Sequence, residues 1–176
     1  MSTLKVNALQ TTSGAQLSRV IQTVRAIKTD TSSFSINTLS IYDDTNFSIS
    51  ITPTVSTNLI YVFGHLTLGL DGDNQDIAVG VKVNGSDLND VMGDARSSRR
   101  RAHSGCQENS GGHGAISVPI NIMYVPNSTS QQTINFRYSH GSGGTRTLYI
   151  NRTERDSDNA ENATYVSQLI AQELVP

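Results

Sequence analysis

The chain has 176 residues and a mass of 19.0 kDa, enough for one domain with an arm and too little for two independent cores. A formal charge of -2 and a pI near 6.0 provide no cationic field for nucleic acid or an anionic membrane, so neither is an expected partner. With one cysteine, Cys106, no intrachain disulfide can form; no apolar run long enough to cross a bilayer and no cationic-then-apolar secretion signal is present.

Synthesis in a cytoplasm with a reduced thiol is therefore expected, and Asn46, Asn84, Asn127, Asn151 and Asn162, which each begin an Asn-x-Ser/Thr sequon, read as products of a composition rich in Asn, Ser and Thr. Charged residues make up 16% of the chain, below the roughly 25% of ordinary soluble domains. Such a surface stays wet without strong fields.

In chain order, Ser2 to Gly14 is a short polar leader whose apolar anchors are Leu4, Val6 and Leu9. They are too few for a core and enough to dock on another surface. Leu17, Val20, Ile21, Val24 and Ile27 fit a helical stripe, but the alternation through Val20, Gln22, Val24, Ala26 and Lys28 and the β-branched residues favour a strand. A strand is expected around Phe34 and Ile36, followed by Leu39 to Ile41, a turn at Asp43 to Asn46, and a half-buried strand through Phe47, Ile49 and Ile51.

Asn58 to Leu70 reads as a long strand with Ile60, Val62, Gly64, Leu66 and Leu68 on one face and Leu59, Tyr61, Phe63 and His65 on the other. Apolar groups on both faces predict a central strand, or one whose outer face meets another subunit. Further strands are expected at Ile77 to Val83, closed by an Asn84-Gly85 hairpin turn, then at Val91 to Ala102, Ile116 to Val125, Thr133 to Tyr138, Thr147 to Asn151 and Tyr165 to Glu173. No fixed-period repeat and no well-capped helix interrupts them. The expected fold is all-β, an antiparallel β-sandwich that is jelly-roll-like, over residues 20–176, preceded by a short extended N-terminal anchoring arm over residues 1–19.

Chemistry-bearing clusters are sparse. Arg96, Arg99, Arg100 and Arg101 form the densest charge run, read either as a cationic strip for an anionic partner or as strand residues pairing with acids across a subunit boundary. The second reading is preferred, because neighbours on a strand point to opposite faces. Asp71 to Asp76 and Asp156 to Glu161 carry calcium-type ligands without the spacing of an EF-hand, and read as solvated turns. His65, His103, His113 and His140 are scattered, and the segment from His103 to Gly114 around Cys106 is expected to be a loop; neither a zinc tetrad nor a supported thiol-imidazole pair is visible. No nucleophile elbow, phosphate loop or dinucleotide fingerprint occurs, so no cofactor and no catalytic residue is assigned.

Several blocks carry a resemblance. The leader Ser2 to Gly14, Ser48 to Pro53, Gly93 to Ser97, Leu148 to Thr153 and Ser167 to Glu173, taken in order, resemble the β domains of tail-fibre and appendage proteins of cyanophages and related marine tailed phages. The resemblance implies a jelly-roll-like domain on the virion exterior, usually trimeric. The chain departs from long fibres in having almost nothing between Gly14 and the strand at Val20, which suits a short fibre or appendage, or a capsid decoration protein. On this reading the leader, residues 2–14, binds another virion protein, and Leu59, Tyr61, Phe63, Arg100 and Arg101 form the subunit interface of a homotrimer. The rival is a receptor module that contacts host surface glycan through Tyr138, His140, Tyr149 and the Arg99 to Arg101 strip. A glycan-cleaving enzyme ranks third.

Overall fold

The computed structural model describes residues 19–37, 42–72, 75–108, 114–141, 144–155, 157 and 162–176. The leader with Leu4, Val6 and Leu9, His113, Leu39 to Ile41 and most of the second acidic run lie outside them. The described residues form strands β1 (Arg19–Lys28), β2 (Ser32–Asn37), β3 (Tyr42–Ile51), β4 (Leu59–Leu70), β5 (Gln75–Val83), β6 (Ser86–Asp87), β7 (Ser104–Glu108), β8 (Ile116–Tyr124), β9 (Gln132–His140), β10 (Thr145–Ile150) and β11 (Ser167–Val175). A single 3₁₀ turn spans Asn89–Val91 among the described residues.

Two antiparallel sheets share one core. In the first, β1 pairs β11, β11 pairs β4, and β4 pairs β8, while β2 pairs β10 and β10 joins the end of β4. In the second, β3 pairs β9, β9 pairs β5, and β5 pairs both β7 and the short β6. The segments β1 and β2 are one strand interrupted at residues 29–31, and they lie along β11 and β10, which are likewise one strand split by the excursion 151–166. Once these halves are joined, the orders β1–β11–β4–β8 and β3–β9–β5–β7 are the wiring of a jelly roll, so the expected β-sandwich is the fold observed.

Alternation explains the layers. Ile60, Val62, Leu66, Leu68 and Leu70 of β4 face Ile134, Phe136 and Tyr138 of β9 and Val79 and Val81 of β5 across the core, all 0% exposed. Between them the backbone of β11 comes so close at Gly64 (φ 148°) that a Cβ there would lie 2.0 Å from the Gln168 carbonyl oxygen, which leaves glycine the residue for that register. Asn84 and Gly85, at φ 50° and 81°, make the tight turn between β5 and β6 that their sequence demands.

The split strand is closed by side chains. At the gap, Thr67 of β4 pairs with Ser117 of β8 but has no strand partner on the β10/β11 side, where its N–H donates to the Ser167 hydroxyl (2.9 Å) and its carbonyl accepts from the Asn151 N–H (2.9 Å). Asn151 is buried at φ 60°; its amide donates to the carbonyls of Lys28 (2.8 Å) and Asp30 (3.0 Å), and its Oδ1 accepts from the Ser167 hydroxyl (2.7 Å). Asn151 thus ties together the breaks in both interrupted strands. Replacing it by Ala strands the buried Lys28 carbonyl, the part-buried Asp30 carbonyl and the Ser167 hydroxyl, and places a Cβ residue without a side-chain bond in the left-handed region, so a loss of about 3 kcal/mol is expected. Thermal unfolding monitored by circular dichroism should register it as a fall in melting temperature of roughly 6–12 °C.

Some local expectations are corrected. Val91 to Ala102 is a 3₁₀ turn and a loop, because Ser97 takes φ 45° and the Arg96 carbonyl accepts from the Arg99 N–H (2.9 Å), closing a turn where a strand was expected. The strand lies one step later: β7 covers Cys106 in the segment expected to be a loop, with Cys106 opposite Ile77. The Asp43 to Asn46 cluster lies within β3 as a register shift between Asp44 and Ser48.

Candidate functional site

The two sheets differ in what they show to solvent. The outward residues of the second sheet are polar: Ser48 and Ser50 of β3 and Thr133, Asn135 and Arg137 of β9, with the Ser50 and Thr133 hydroxyls 2.9 Å apart. The outward residues of the first sheet are apolar where β4 begins. Leu59 stands opposite Leu174, Phe63 opposite Ile170, and Tyr61 opposite Met123. The Tyr61 and Phe63 rings stack at 4.9 Å between centroids.

This face is only partly covered: Leu59, Tyr61, Phe63, Ile170 and Leu174 are half-buried, and Met123 and Val20 beside them remain 51% and 48% exposed. The expectation that β4 is apolar on both faces therefore holds in three dimensions. Gln172 opposite Tyr61 and Asn121 opposite Phe63 lie among these apolar groups on the same face.

Along the same face toward Thr67 the chemistry changes. His65 and Thr67 of β4, Ser117 of β8, Thr29 from the break after β1, and Thr164, Tyr165 and Val166 at the end of the excursion line an open cleft of ≈ 660 Å³, with Ala115. The Val166 carbonyl accepts from the Thr67 hydroxyl (2.9 Å) and from His65 Nε2 (3.1 Å), so the returning chain is fixed on the outer face of the sheet. The Tyr165 N–H donates to the Asn151 carbonyl (2.8 Å) and closes the neck of the excursion.

The remaining residues singled out in the sequence are dispersed. Arg100 donates to Asp76 (2.9 Å) and to the Ser139 hydroxyl (2.9 Å), and Arg101 donates to the Asn89 and Gly93 carbonyls (2.8 and 2.6 Å) and to Asn89 Oδ1. Both guanidinium groups are engaged inside their own domain, tying the loop after β6 to β5, β9 and the 3₁₀ turn. Tyr138 and His140 are 0% exposed: the Tyr138 ring stacks on Phe34 at 6.1 Å, and His140 Nε2 lies 3.2 Å from the Ile36 carbonyl. Their position on β9 turns them into the core, so they are not presented to a glycan. Tyr149 faces outward but is half-buried, with the Arg152 guanidinium 4.3 Å over its ring.

His103 also has a structural post. Its Nδ1 donates to the Val91 carbonyl (2.9 Å) and its Nε2 accepts from the Asn121 N–H (3.3 Å), linking the loop to β8. Among the described residues no group of three or more His, Cys, Asp or Glu side chains is placed to hold a metal ion, and no helix is long and apolar enough to cross a membrane.

Sequence reasoning missed Glu173. It is fully buried at the inward register of β11, where its Oε1 accepts from the Thr54 N–H (2.8 Å), the Thr54 hydroxyl (2.7 Å), the Val55 N–H (3.3 Å) and the Asn58 amide (2.7 Å), and its Oε2 from Gln22 (2.6 Å). Burial by itself would raise its pKa; the hydrogen bonds from Asn58, Gln22 and Thr54 outweigh that and bring it down to about 2. The available signal was an acid at an inward position of an otherwise apolar alternation, Leu169, Ala171, Glu173.

No protein-family profile matches the chain, and no curated protein is similar to it. Solved structures of infectious bursal disease virus are similar in fold. A structure of the Gx strain matches with a TM-score of 0.43 and 16% identity, covering 98% of this chain and 42% of the other. The VP2 subviral particle matches with 0.43 and 11% identity over 97% and 43%, and the D431N mutant VP2 protein, in derived T=1 particles, with 0.42 and 13% over 97% and 40%. The chain thus spans less than half the length of these proteins. Likenesses at this level establish nothing about what the chain binds or assembles with.

Proposed function

We propose that this chain is a non-enzymatic structural subunit of a phage virion, a short tail fibre or appendage whose β-sandwich assembles as a homotrimer on the particle exterior. The observation that carries this reading is the contrast between the two outer faces. One sheet turns Ser, Thr, Asn and Arg outward, and the other turns Leu59, Tyr61, Phe63, Ile170 and Leu174 outward beside Met123. A solvated outer face has no use for stacked aromatics; a face desolvated by a second copy does. Closed rotational symmetry brings the same patch of each subunit toward a common axis. The resemblance of the five sequence blocks to phage appendage proteins supports the particle as the setting, with residues 2–14 as the segment that docks on another virion protein.

Multi-angle light scattering of the chain at micromolar concentration should give three times 19.0 kDa, and antibody against the domain should label purified particles. A 19.0 kDa species throughout removes the trimer, and unlabelled particles remove the virion reading.

A further inference from the structure

We propose that the loop joining β6 to β7 is a guard over the outer edge of β8, and that a second copy of this chain adds to that edge when the guard is released. Among the described residues β8 ends the first sheet, with β4 on one side of it. A strand in that position presents backbone donors and acceptors to any extended segment that meets it. At the opposite end of the sheet β1 carries a register shift between Val20 and Gln22, and such a shift bends an edge away from straight pairing. β8 pairs β4 in unbroken register from Ile116 to Tyr124, so its edge has to be closed by other means.

Two residues close it. The Asn121 N–H points away from β4 and donates to His103 Nε2 (3.3 Å). Backbone groups two residues apart on a strand share a direction, so Pro119 lies on the same edge, and a proline has no N–H to offer. The contact requires the imidazole tautomer with its proton on Nδ1, which donates to the Val91 carbonyl (2.9 Å).

The guard is anchored on both sheets. The His103 N–H donates to the Val79 carbonyl of β5 (2.8 Å), so its backbone belongs to the second sheet while its ring reaches the first. Behind it the Gly93 N–H donates to the Ala102 carbonyl (3.0 Å), and Arg101 ties the loop to itself through the Gly93 and Asn89 carbonyls (2.6 and 2.8 Å). Arg100 fastens it to β5 and β9 through Asp76 and Ser139. The arginine run thus holds the imidazole in place.

Self-pairing suits the edge beneath. With Asn121 of one copy opposite Met123 of the other, antiparallel about a two-fold axis at Ile122, both outward residues form full hydrogen-bonded pairs and Pro119 stays outside them. Met123, 51% exposed in the single chain, gains a cross-strand neighbour. The contact runs along one short edge, so a Kd on the order of 0.1–1 mM is expected.

His103→Ala tests the guard, compared with the parent by sedimentation velocity up to about 1 mM and by amide hydrogen exchange. In the dilute variant the Asn121 amide should exchange at least tenfold faster than in the parent. At high concentration the mass should at least double and that amide should slow again. Adding Asn121→Pro to His103→Ala removes the freed donor at an edge position where proline costs no bond to β4, and should return the mass to the parent's. If His103→Ala does not fold by circular dichroism, Arg101→Ala, which loosens the same loop from Asn89 and Gly93, takes its place with the same expected results. An Asn121 amide that exchanges as in the parent, a mass equal to the parent's at every concentration, or a double variant that still associates would overturn the proposal. Every mass is read relative to the parent's, so the outcome is independent of whether the parent is a trimer.

Discussion

Acidification should melt this domain through one residue. Glu173 has a folded pKa of about 2, against an ordinary value of 4.5. A carboxylate depressed on folding contributes stability that is present in full above its unfolded pKa and lost as the pH falls toward the folded one. The window is therefore pH 4.5 down to 2, and the shift corresponds to about 3 kcal/mol. Protonation removes the charge that holds Thr54, Val55 and Asn58 of the β3–β4 connection and Gln22 of β1 onto β11.

Two variants separate the charge from the bonds. Glu173→Ala leaves buried donors without an acceptor and should cost about 3–5 kcal/mol at neutral pH. Glu173→Gln keeps an amide oxygen for the Oε1 donors, and Gln22 can turn its own amide to meet the new N–H at the expense of its bond to the Thr52 carbonyl. Its cost should be about 1–2 kcal/mol, and the steep loss of stability between pH 4.5 and 2 should flatten. Urea unfolding at several pH values measures both; a Glu173→Gln protein with the parent's acid profile would show that other carboxylates set it.

The second large effect concerns Phe63. Changing it to Asp puts a charge at the centre of the apolar outer face, between Ile170 and Asn121 and beside the Tyr61 ring. In an assembled subunit that carboxylate is desolvated without a partner. In an isolated one it meets water, so the fold survives. The expected result is a monomer of 19.0 kDa with the parent's β circular dichroism. The association should weaken by about 2–4 kcal/mol, or roughly 30- to 1,000-fold. Ser48→Asp, which puts the same charge on the polar outer face of the other sheet, should leave the assembly intact. Sedimentation velocity over a concentration series distinguishes them, and a Phe63→Asp protein that still sediments as the parent would move the association surface elsewhere.

Period-two alternation was enough to fix the sandwich, because the pleat obliges residues such as Ile60, Val62, Leu66 and Leu68 to share a face. It also marked Leu59, Tyr61 and Phe63 as a second apolar row, and Asn84-Gly85 as a turn, since both signals are local in the chain. The arginine run shows where local reading stops. Adjacent cations suggest a strip or a strand, but a turn separates Arg96 from Arg99, and Arg100 and Arg101 are satisfied by Asp76, Ser139, Asn89 and Gly93, partners that only folding brings to them.

Tyr138 and His140 failed as surface residues for a related reason: alternation puts them on one face of β9 with Phe136, and which face is buried depends on the sheet stacked against it. Asn151 and the Tyr165 cleft were invisible in the sequence, and Glu173 showed only as an acid in the alternation Leu169, Ala171, Glu173. Each works through partners far along the chain, Lys28 for Asn151, Asn58 for Glu173 and His65 for the cleft wall, joined where strands from both ends of the polypeptide meet on β4. Composition and periodicity determine which residues prefer the inside. Hydrogen-bond satisfaction across a broken strand is decided only when non-local backbone is in place, because a buried polar group takes whatever partner the packed structure supplies.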